Sequence, residues 1–502
     1  GFQQSGTGAI ATTVQEVLRE TVSVKRFGAV GDGVTDDTVA FQTALNAAAR
    51  VYVPAGTYVV NVVTLDANTE IYGDGAASII KQSASFVGGS QGSLYANSGS
   101  AGSQVNNIVI RNLRVEGTNI SAPTFSEFKH LVSLNGVRNA LVENVQFIGF
   151  QGDGLYVGSG VNGGDERHNT NVIVRGCFFD GVNKENRNGL SVIDCDGLLA
   201  ESNYFTRCTK STMPGAIDVE PDAAIFHVIK DIAVINNKFT DVGGNVGAIG
   251  VFLPDAAYTT APFGFLIQGN DMDTVNTGVF VVRVISGGAT ESTPALGLNV
   301  LNNTVINHTN PFKLGNVKGG VFSDNVFVNS TTKAEIGIPI AAEYNNFDVV
   351  LKNNTFNKCA TAGNSAIEVT NGTRLTFDGN VFNDCGSGLA GQANAINFEL
   401  GTSSYIALIN NTFVTPTGKT LVAVQKQAAH TYTPSTNTFL TNTNPSNLPV
   451  VFTAEYNDFA EQSYTPVVTG SSTAGTGTYT TQYGRWRRIG KIVFFRVKLS
   501  VN

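Results

Sequence analysis

Short segments in which apolar and polar residues alternate recur along most of the chain. Many of them end in one corner pattern, an asparagine followed two positions later by an aromatic or aliphatic residue. The residues that close these corners are Phe147, Phe179, Phe205, Phe239, Met272, Val305, Phe327, Phe356, Phe382, Phe413 and Phe439. Their mean spacing is about 29 residues. Alternation with a period of two is typical of β-strands, so the pattern predicts a repeated unit of short strands.

A repeat of this length favours an all-β fold, a right-handed parallel β-helix with three short strands in each coil. Successive coils would lie about 4.8 Å apart, with phenylalanine stacked on phenylalanine inside. We expect the corner asparagines to adopt the left-handed backbone of the turn and to bond the asparagine of the next coil. A second series of strands, from GLYVG at 154–158 to GVFVV at 278–282, has its own alignment. Its alternate residues, such as Leu155 and Val157, are predicted to point inward and those between them outward.

Three regions follow from the same pattern. Residues 1–22 carry apolar residues at helical spacing and are expected to form a neck that packs against copies of itself. Residues 23–440 form the predicted β-helix, and a helix near 37–49, capped by Asp36 or Asp37, would cover its open first coil. Residues 441–502 alternate like antiparallel strands. Because they end abruptly at Asn502, we expect a C-terminal β-rich module that is truncated.

The composition narrows the possible functions. Charged residues make up only 14% of the chain, the net charge is −7, and the 32 lysines and arginines form no basic run. This distribution argues against a nucleic-acid partner. No apolar stretch is long enough to insert in a membrane. The five cysteines are odd in number and show no CxxC spacing, so we interpret them as small buried residues rather than a disulfide framework or a zinc site. We expect neither a metal nor a cofactor.

Three segments resemble bacteriophage tailspikes of the pectate-lyase-like β-helix superfamily. The first is VKRFGAVGDGVTDDTVAFQTAL at 24–45 with the following VYVPAGTYVV and TEIYGDGAASII; in it, Arg26 replaces the aspartate of the usual motif. The second, GAIDVEPD at 215–222, is similar to a stretch of many capsule-degrading tailspikes. The third, which begins at Tyr464, resembles a module common at the ends of phage tail proteins.

This resemblance implies a homotrimer in the virion that acts outside the cell, at the host surface. Its partner would be a bacterial capsular polysaccharide or O-antigen, which such proteins bind and depolymerise. Attachment to the phage tail or baseplate would use an N-terminal domain that this sequence lacks.

Asp218 and Glu220 are the candidate catalytic pair. They lie two positions apart on one predicted strand and therefore share a face, with Cα atoms about 6.6 Å apart. Rotation of the side chains would reach the carboxyl separations of both retaining and inverting glycosidases. Apolar neighbours are predicted to raise the pKa of Glu220, which makes it the general acid. Asp218, in a more polar and open position, is predicted to stay ionised as base or nucleophile.

Further residues of the same region are candidates for binding sugar. Tyr156 and Phe252 are predicted outward aromatics suited to stacking on sugar rings, and Glu166 and His168 lie on an insertion over this face. The remaining candidates are Asp153, Arg187, Asp194, Asp222 and Arg283. A structural role for Asp153 in its turn and solvated positions for the two arginines remain alternatives.

The predicted function is endo-acting hydrolysis of a bacterial surface polysaccharide by this carboxylate pair. One alternative is a polysaccharide lyase acting on a capsule that contains uronic acid, and another is an adhesin that binds the glycan without cutting it. A rival acid site is also open, because Glu368 and Glu399 repeat the outward pattern downstream and would face a neighbouring chain in a trimer.

Overall fold

The fold is taken from a computed structural model of the chain. It describes residues 1–98, 104–121, 123–160, 167–255, 257–337, 345–363, 365–388, 392–398, 403–415, 420–426, 432–435, 437–441, 462–464, 479–489 and 492–501. Glu166 and Glu399 lie outside the described residues. No helix within the described residues is long and apolar enough to span a membrane.

Three parallel sheets, each formed by one strand from nearly every coil, build a parallel β-helix and confirm the predicted fold class. Strands of the first sheet are Val63–Thr64, Gly92–Asn97, His130–Asn135, Leu155–Val157, Leu190–Val192, Gly215–Val219, Gly247–Leu253, Ala334–Ile336, Ser365–Val369, Gln392–Phe398 and Thr420–Lys426. Strands of the second sheet are Val22–Ser23, Arg50–Val53, Glu70–Gly73, Asn169–Arg175, Cys195–Glu201, Ile229–Ile235, Phe263–Gln268, Leu298–Leu301, Gly320–Ser323, Val350–Lys352, Thr376–Asp378, Ile406–Ile409 and Tyr432–Ser435.

The third sheet carries the phenylalanine series. Its strands are Asp32–Asp36, Gly56–Val60, Ser78–Gln82, Phe178–Asp180, Tyr204–Thr206, Lys238–Val242, Val326–Ser330, Thr355–Asn357, Val381–Asn383, Thr412–Thr415 and Thr438–Thr441. Four long strands turn a corner without a break. Val105–Glu116 and Val137–Ile148 pass from the second to the third sheet, and Asp271–Arg283 and Thr304–Gly315 pass from the third to the first.

Smaller elements lie around the coils. Asn346–Phe347, Gly372–Thr373 and Ser403–Ser404 form a short parallel sheet, and Gln462–Tyr464, Tyr479–Ile489 and Ile492–Val501 form an antiparallel one. Phe2–Gln3 pairs with Ala11–Thr12. The α-helices are Val14–Arg19 and Thr38–Ala47, and the 3₁₀-helices are Val24–Phe27, Gly75–Ala77 and Thr118–Ile120.

The helix Thr38–Ala47 packs on the first coils, where it buries Phe41, Ala44 and Leu45. Asp37 occupies the N-cap position, but its carboxylate accepts hydrogen bonds from the Val30 and Gly31 backbone N–H groups, at 2.7 and 3.2 Å. The preceding residue caps the helix instead, because the Asp36 carboxylate accepts a hydrogen bond from the Thr38 N–H at 2.9 Å. The helix therefore covers apolar residues of the first coils and is tied to the loop before it.

Aromatic rings stack through the interior of the third sheet. The centroids of Phe147 and Phe179 are 4.5 Å apart, as are those of Phe179 and Phe205, with nearly parallel planes. Met272 and Val305 interrupt the series, which resumes from Phe327 onward with ring separations of 5.0 to 5.2 Å. The predicted phenylalanine stack is confirmed. Because coil spacing is set by backbone hydrogen bonds, in-register rings fall close to the optimal stacking distance.

A ladder of buried asparagines runs beside this stack. Its members are Asn203, Asn237, Asn270, Asn303, Asn325, Asn354, Asn380, Asn411 and Asn437. Each of the first eight donates its amide group to the carbonyl oxygen of the next asparagine at 2.9 to 3.1 Å. The predicted ladder is therefore confirmed.

The predicted left-handed backbone of the ladder asparagines is wrong by one residue. The positive φ angles belong to the residue before each of the first eight ladder asparagines, for example 54° at Asn236, 53° at Asn353 and 69° at Gly379. That preceding residue makes the turn, whereas the ladder asparagine points inward and satisfies the backbone of two coils. The amide suits this position because its NH₂ group donates to a carbonyl while its oxygen accepts from an N–H.

We expect Asn354→Ala to destabilise the fold strongly. The Asn354 side chain donates to Phe322 O at 2.8 Å and to Asn380 Oδ1 at 3.0 Å, and it accepts from the N–H and amide of Asn325. Each buried group left unsatisfied costs roughly 1–3 kcal/mol. In urea unfolding, the free energy of unfolding should fall several times more than it does for Asn357→Ala. That variant removes one half-buried amide contact in the same coil. Equal losses for the two variants would contradict the structural role of the ladder.

The second prediction concerns His308, whose side chain is buried in the interior. Neither ring nitrogen has a hydrogen-bond partner among the described residues, and burial lowers the pKa of His308 to about 3. The unfolded chain takes up this proton near pH 6.5, so the folded state loses stability as pH falls from about 6.5 towards 3. His308→Leu should remove this dependence of stability on pH. At pH 5 its free energy of unfolding should exceed the parent's by about 2 kcal/mol. Calorimetry at pH 5 and 8 tests this, and a difference between variant and parent that does not change with pH would contradict it.

Candidate active site

The outer face of the first sheet places one residue from each coil in a single line. Strand register aligns Ser133, Tyr156, Ser191, Asp218, Gly250, Phe280, Lys313, Glu335, Glu368 and Asn397. The residues on either side of each, such as Ile217 and Val219, are buried in the core. The inward residues of the first sheet are therefore confirmed, and they fix which side chains this outer face presents.

Arg187 lies at the centre of a charged cluster on this face. Its guanidinium donates to Asp153 Oδ2 and to Ser191 Oγ, both at 3.1 Å. The other terminal nitrogen lies 3.8 Å from Asp218 Oδ2 and 3.7 Å from Glu220 Oε2. Burial works to lower the pKa of Arg187, but the three carboxylates outweigh it and raise that pKa above its ordinary value. The arginine is a permanent cation held against the predicted catalytic pair.

Asp153 anchors Arg187 from beneath. Its side chain is fully buried, its Oδ1 accepts from the Asn188 N–H at 3.0 Å, and its Oδ2 lies 3.1 Å from Nδ1 of His130. Burial works to raise the pKa of Asp153, but Arg187 and His130 outweigh it and hold that pKa below its ordinary value. Both carboxylate oxygens of Asp153 are occupied by Arg187, His130 and Asn188, which does not fit the predicted contact with sugar. The geometry agrees with the structural alternative, in which Asp153 orients the arginine.

The predicted environments of the two candidate catalytic residues are reversed. Asp218 is fully buried, whereas the side chain of Glu220 is 35% exposed. Burial, followed by the negative charge of Glu220, raises the pKa of Asp218 well above its ordinary value. Burial also raises the pKa of Glu220, although Arg187 and a hydrogen bond with Asp218 oppose the rise. Asp218, not Glu220, is the carboxyl that the protein keeps protonated most strongly.

The reversal has a physical cause in the neighbouring coil. Ser191 and Gly250, the small residues next to Asp218 along the sheet, leave room for longer side chains to cover it. Asn188 donates to Asp218 Oδ2 at 3.2 Å, and Arg187 lies over the same oxygen. The other oxygen, Oδ1, is buried and has no hydrogen-bond partner among the described residues. The small neighbours along the sheet leave Asp218 open, and Arg187 and Asn188 from the preceding turn cover it.

Two cavities adjoin this cluster. The first, of about 440 Å³, is lined by both Asp218 and Glu220 and by Phe252, Phe280 and Lys313. The second, of about 410 Å³, is lined by Arg187, Tyr156, His130, Glu127 and Asp222. Since Arg187 contacts both carboxylates, the two cavities meet at the charged cluster. A chain of sugar rings lying along the sheet would pass over the acids with a cavity on each side.

The remaining predicted residues divide into two groups. Tyr156, stacked on the His130 ring at 4.4 Å, and Asp222 and Phe252 lie in the walls of the cavities. His168 and Asp194 instead bond to each other at 2.8 Å. Asp194 is fully buried and also accepts from Ser159 Oγ and the Val228 N–H. This network braces a corner of the coil and does not present Asp194 to a ligand.

Two predicted positions lie away from the cluster. Arg283 is half-buried and donates to the Pro294 carbonyl at 3.4 Å. Glu368, of the rival acid site, follows Asp218 by five coils, about 24 Å along the stack, and pairs with Lys333. Sequence reasoning missed Asn188, His130, Glu127 and Lys313. Extending the first-sheet alignment to HLVSLN at 130–135 and to Lys313 would have found two of them.

Part of this chain is similar to proteins that are already known. Residues 21–238 match the family model described as rhamnogalacturonase A/epimerase, pectate lyase-like. The preneck appendage protein of Bacillus phage PZA is 26% identical over 206 residues, which is 37% of this chain and 24% of that protein. The pre-neck appendage protein of Bacillus phage phi29 matches to the same extent. The predicted resemblance to phage proteins and to the pectate-lyase-like family is confirmed over this part of the chain.

The curated relatives are named as appendage proteins of phages, which agrees with the predicted location in the virion. The chain spans about a quarter of their length. Among solved structures, the N-terminal fragment of phi29 gene product 12 has a TM-score of 0.58 at 14% identity, covering 83% of this chain and 70% of that one. The A-module of the mannuronan C-5 epimerase AlgE6 of Azotobacter vinelandii has a TM-score of 0.50 at 16% identity, covering 83% and 99%. At such identities the likeness shows the superfamily's β-helix fold alone.

We expect Asp218→Asn to stabilise the folded protein above pH 4. A carboxyl whose folded pKa is raised favours folding at low pH, and the parent loses that stability as pH rises through the raised value. The oxygen of the introduced amide can still accept the hydrogen bond from Asn188, and the amide carries no charge. The free energy of unfolding should therefore rise by roughly 1–3 kcal/mol at neutral pH. Thermal unfolding at pH 4.5 and 8 measures it.

Asp36→Asn is the matched control for this effect. Hydrogen bonds from the Thr38 side chain and N–H lower the pKa of Asp36, so this variant should lose stability at neutral pH. A melting temperature of Asp218→Asn that falls with rising pH as the parent's does would contradict the assignment of a buried, raised pKa to Asp218.

Proposed function

We propose that this protein binds a bacterial surface polysaccharide and hydrolyses its glycosidic bonds with Asp218 and Glu220. The observation that carries the proposal is the pair itself. Two adjacent carboxyls with raised pKa values lie where two cavities meet on the outside of a phage β-helix. Such a pair favours sharing one proton, because the two like charges of the fully ionised pair would repel each other. One group is then available as an acid and the other as a base or nucleophile.

The geometry supports one assignment of roles. Asp218, the more buried group, holds the shared proton and delivers it to the oxygen of the leaving sugar. Glu220 reaches further into the groove and acts on the sugar carbon, directly or through a water molecule. The positive charge of Arg187 offsets part of the negative charge on Asp218 and Glu220. Asp153 fixes the position of Arg187. Overall, water adds across the carbon–oxygen bond, and a reducing end is released.

The cavity walls support binding of sugar rings on both sides of the acids. Phe252 and Phe280 give the first cavity an apolar wall, and Tyr156 does so in the second. Flat apolar faces beside a few polar groups match the alternation of C–H and hydroxyl surfaces on a sugar. Thr212 and Asn245 also line the first cavity and offer uncharged hydrogen-bonding groups.

The local charge favours hydrolysis over the lyase alternative. A lyase must neutralise the carboxylate of a uronic acid beside the bond that it breaks. Here Arg187 is already matched by Asp153, and Lys313 in the wall of the first cavity is paired with Glu335 at 3.3 Å. Glu127, Asp222 and the catalytic pair add negative charge around Arg187. An acidic sugar at this point would be repelled. We therefore place a neutral sugar over the pair.

The test is digestion of polysaccharides from a panel of bacterial hosts by the parent, Asp218→Asn and Glu220→Gln. Loss of a general acid or base should lower the rate of new reducing ends about 10²–10⁴-fold, while binding of the polysaccharide is retained. Glu201→Gln, a half-buried carboxylate on the second sheet, is the control and should digest normally. Product masses should rise by one water per cut.

Other outcomes would identify the alternatives. A product with an unsaturated end, which absorbs in the ultraviolet, would replace hydrolysis by elimination. Binding by the parent without any new reducing ends on the polysaccharide that it binds would make the protein an adhesin. Full activity of both carboxylate variants would move the chemistry to another site on the coil.

A further inference from the structure

One column of side chains inside the β-helix changes character along the chain. It consists of the residues three positions after the inward members of the phenylalanine series from Phe205 to Phe382: Cys208, Val242, Val275, His308, Ser330, Cys359 and Cys385. All seven are buried. From His308 onward the column is polar or sulfur-containing in four successive coils, although an interior position of this kind is ordinarily aliphatic.

The last two members of the column lie in neighbouring coils. Their strands are in register, with Phe356 opposite Phe382 and Asn357 opposite Asn383, and the N–H of Gly386 donates to the Cys359 carbonyl at 2.8 Å. Paired positions of neighbouring coils have Cα atoms about 4.8 Å apart. That separation falls within the range of about 4.4–6.8 Å found for disulfides.

The two thiols also interact with each other directly. The Cys359 thiol donates to Phe327 O at 3.4 Å, and the Cys385 thiol donates to Phe356 O at 3.3 Å. Burial raises the pKa of Cys385, and a hydrogen bond from its thiol to Cys359 sulfur adds to the rise. The same contact lowers the pKa of Cys359, against the effect of burial. The two thiols therefore occupy equivalent positions of neighbouring coils, each donating to the carbonyl group of the phenylalanine one coil earlier.

We propose that Cys359 and Cys385 are a thiol pair that closes into a disulfide between neighbouring coils under oxidising conditions. The oxidant belongs to the class of small disulfides such as oxidised glutathione. One cysteine thiolate attacks it, releases one reduced thiol and forms a mixed disulfide, and the second thiolate then displaces the other reduced thiol. Two protons leave the cysteines, and two electrons pass to the oxidant. The bond would close a loop of about 25 residues and restrict the unfolded chain.

The other three cysteines lack such a neighbour at a comparable place in the register. Cys208 belongs to the same column but precedes Cys359 by five coils. The Cys177 thiol donates to the Val142 carbonyl at 3.4 Å, and the Cys195 thiol lies near the Gly197 carbonyl at 3.5 Å. Both lie at other positions of their coils. Oxidation should therefore be selective for a single pair.

The test is a thiol count on the full chain, folded during synthesis in a buffer of oxidised and reduced glutathione. The protein is denatured in a thiol-blocking reagent and digested with trypsin. We expect three blocked cysteines instead of five, and a disulfide that links peptide 359–374 to peptide 375–419. Reduction should restore five thiols and lower the temperature of unfolding.

Two variants make the result decisive. Ser330 already occupies this column in the preceding coil, so Cys359→Ser and Cys385→Ser place a tolerated side chain at each position. Each should leave four blocked thiols and abolish the effect of glutathione on the melting temperature. Cys208→Ser, as control, should still form the bond. Five free thiols in the oxidised parent, a glutathione adduct that persists, or a linkage to any other cysteine would overturn the proposal.

Discussion

Hydrogen-bonded register between neighbouring coils is the constraint on which this protein depends. Every coil pairs with the one before and the one after it, so a side chain's position in its own strand also fixes its position in a column through the whole stack. Because strand residues alternate between two faces, a slip of one residue would turn every inward side chain outward. The buried asparagine ladder resists such a slip, since each amide fits only one position of the next coil.

The same register places the chemistry. Ile217 and Val219 are fixed in the core, so Asp218 between them must lie on the outer face. A rigid stack then holds a carboxyl where it is unfavourable for it to ionise. Apolar burial on the other side of the strand contributes most of the free energy that offsets the cost of burying this carboxyl. Asp153 and Arg187 complete the arrangement, because each is buried at a cost that the other offsets.

Repetition made much of the fold predictable, and the errors arose where repetition stops. The spacing of Phe205, Phe239 and Phe356 is enough to predict coils, an inward stack and an asparagine ladder. It does not say which of two consecutive asparagines, as at 236 and 237, makes the turn. Both types of position accept asparagine, one for its left-handed backbone and the other for its amide. The assignment needs the direction of the side chain, which only the packed coil defines.

The sequence by itself determined the parallel β-helix, its inward columns and the outward position of Asp218, because a period of two along strands and a nearly fixed period between coils leave few alternatives. Only the tertiary structure decided which acid is buried. Register neighbours predicted an open Asp218 and an enclosed Glu220, yet Arg187 and Asn188 extend from the turn before the adjacent strand and cover Asp218. Desolvation depends on every atom that excludes water from a group, and long side chains from a turn do not follow the periodicity of the strands.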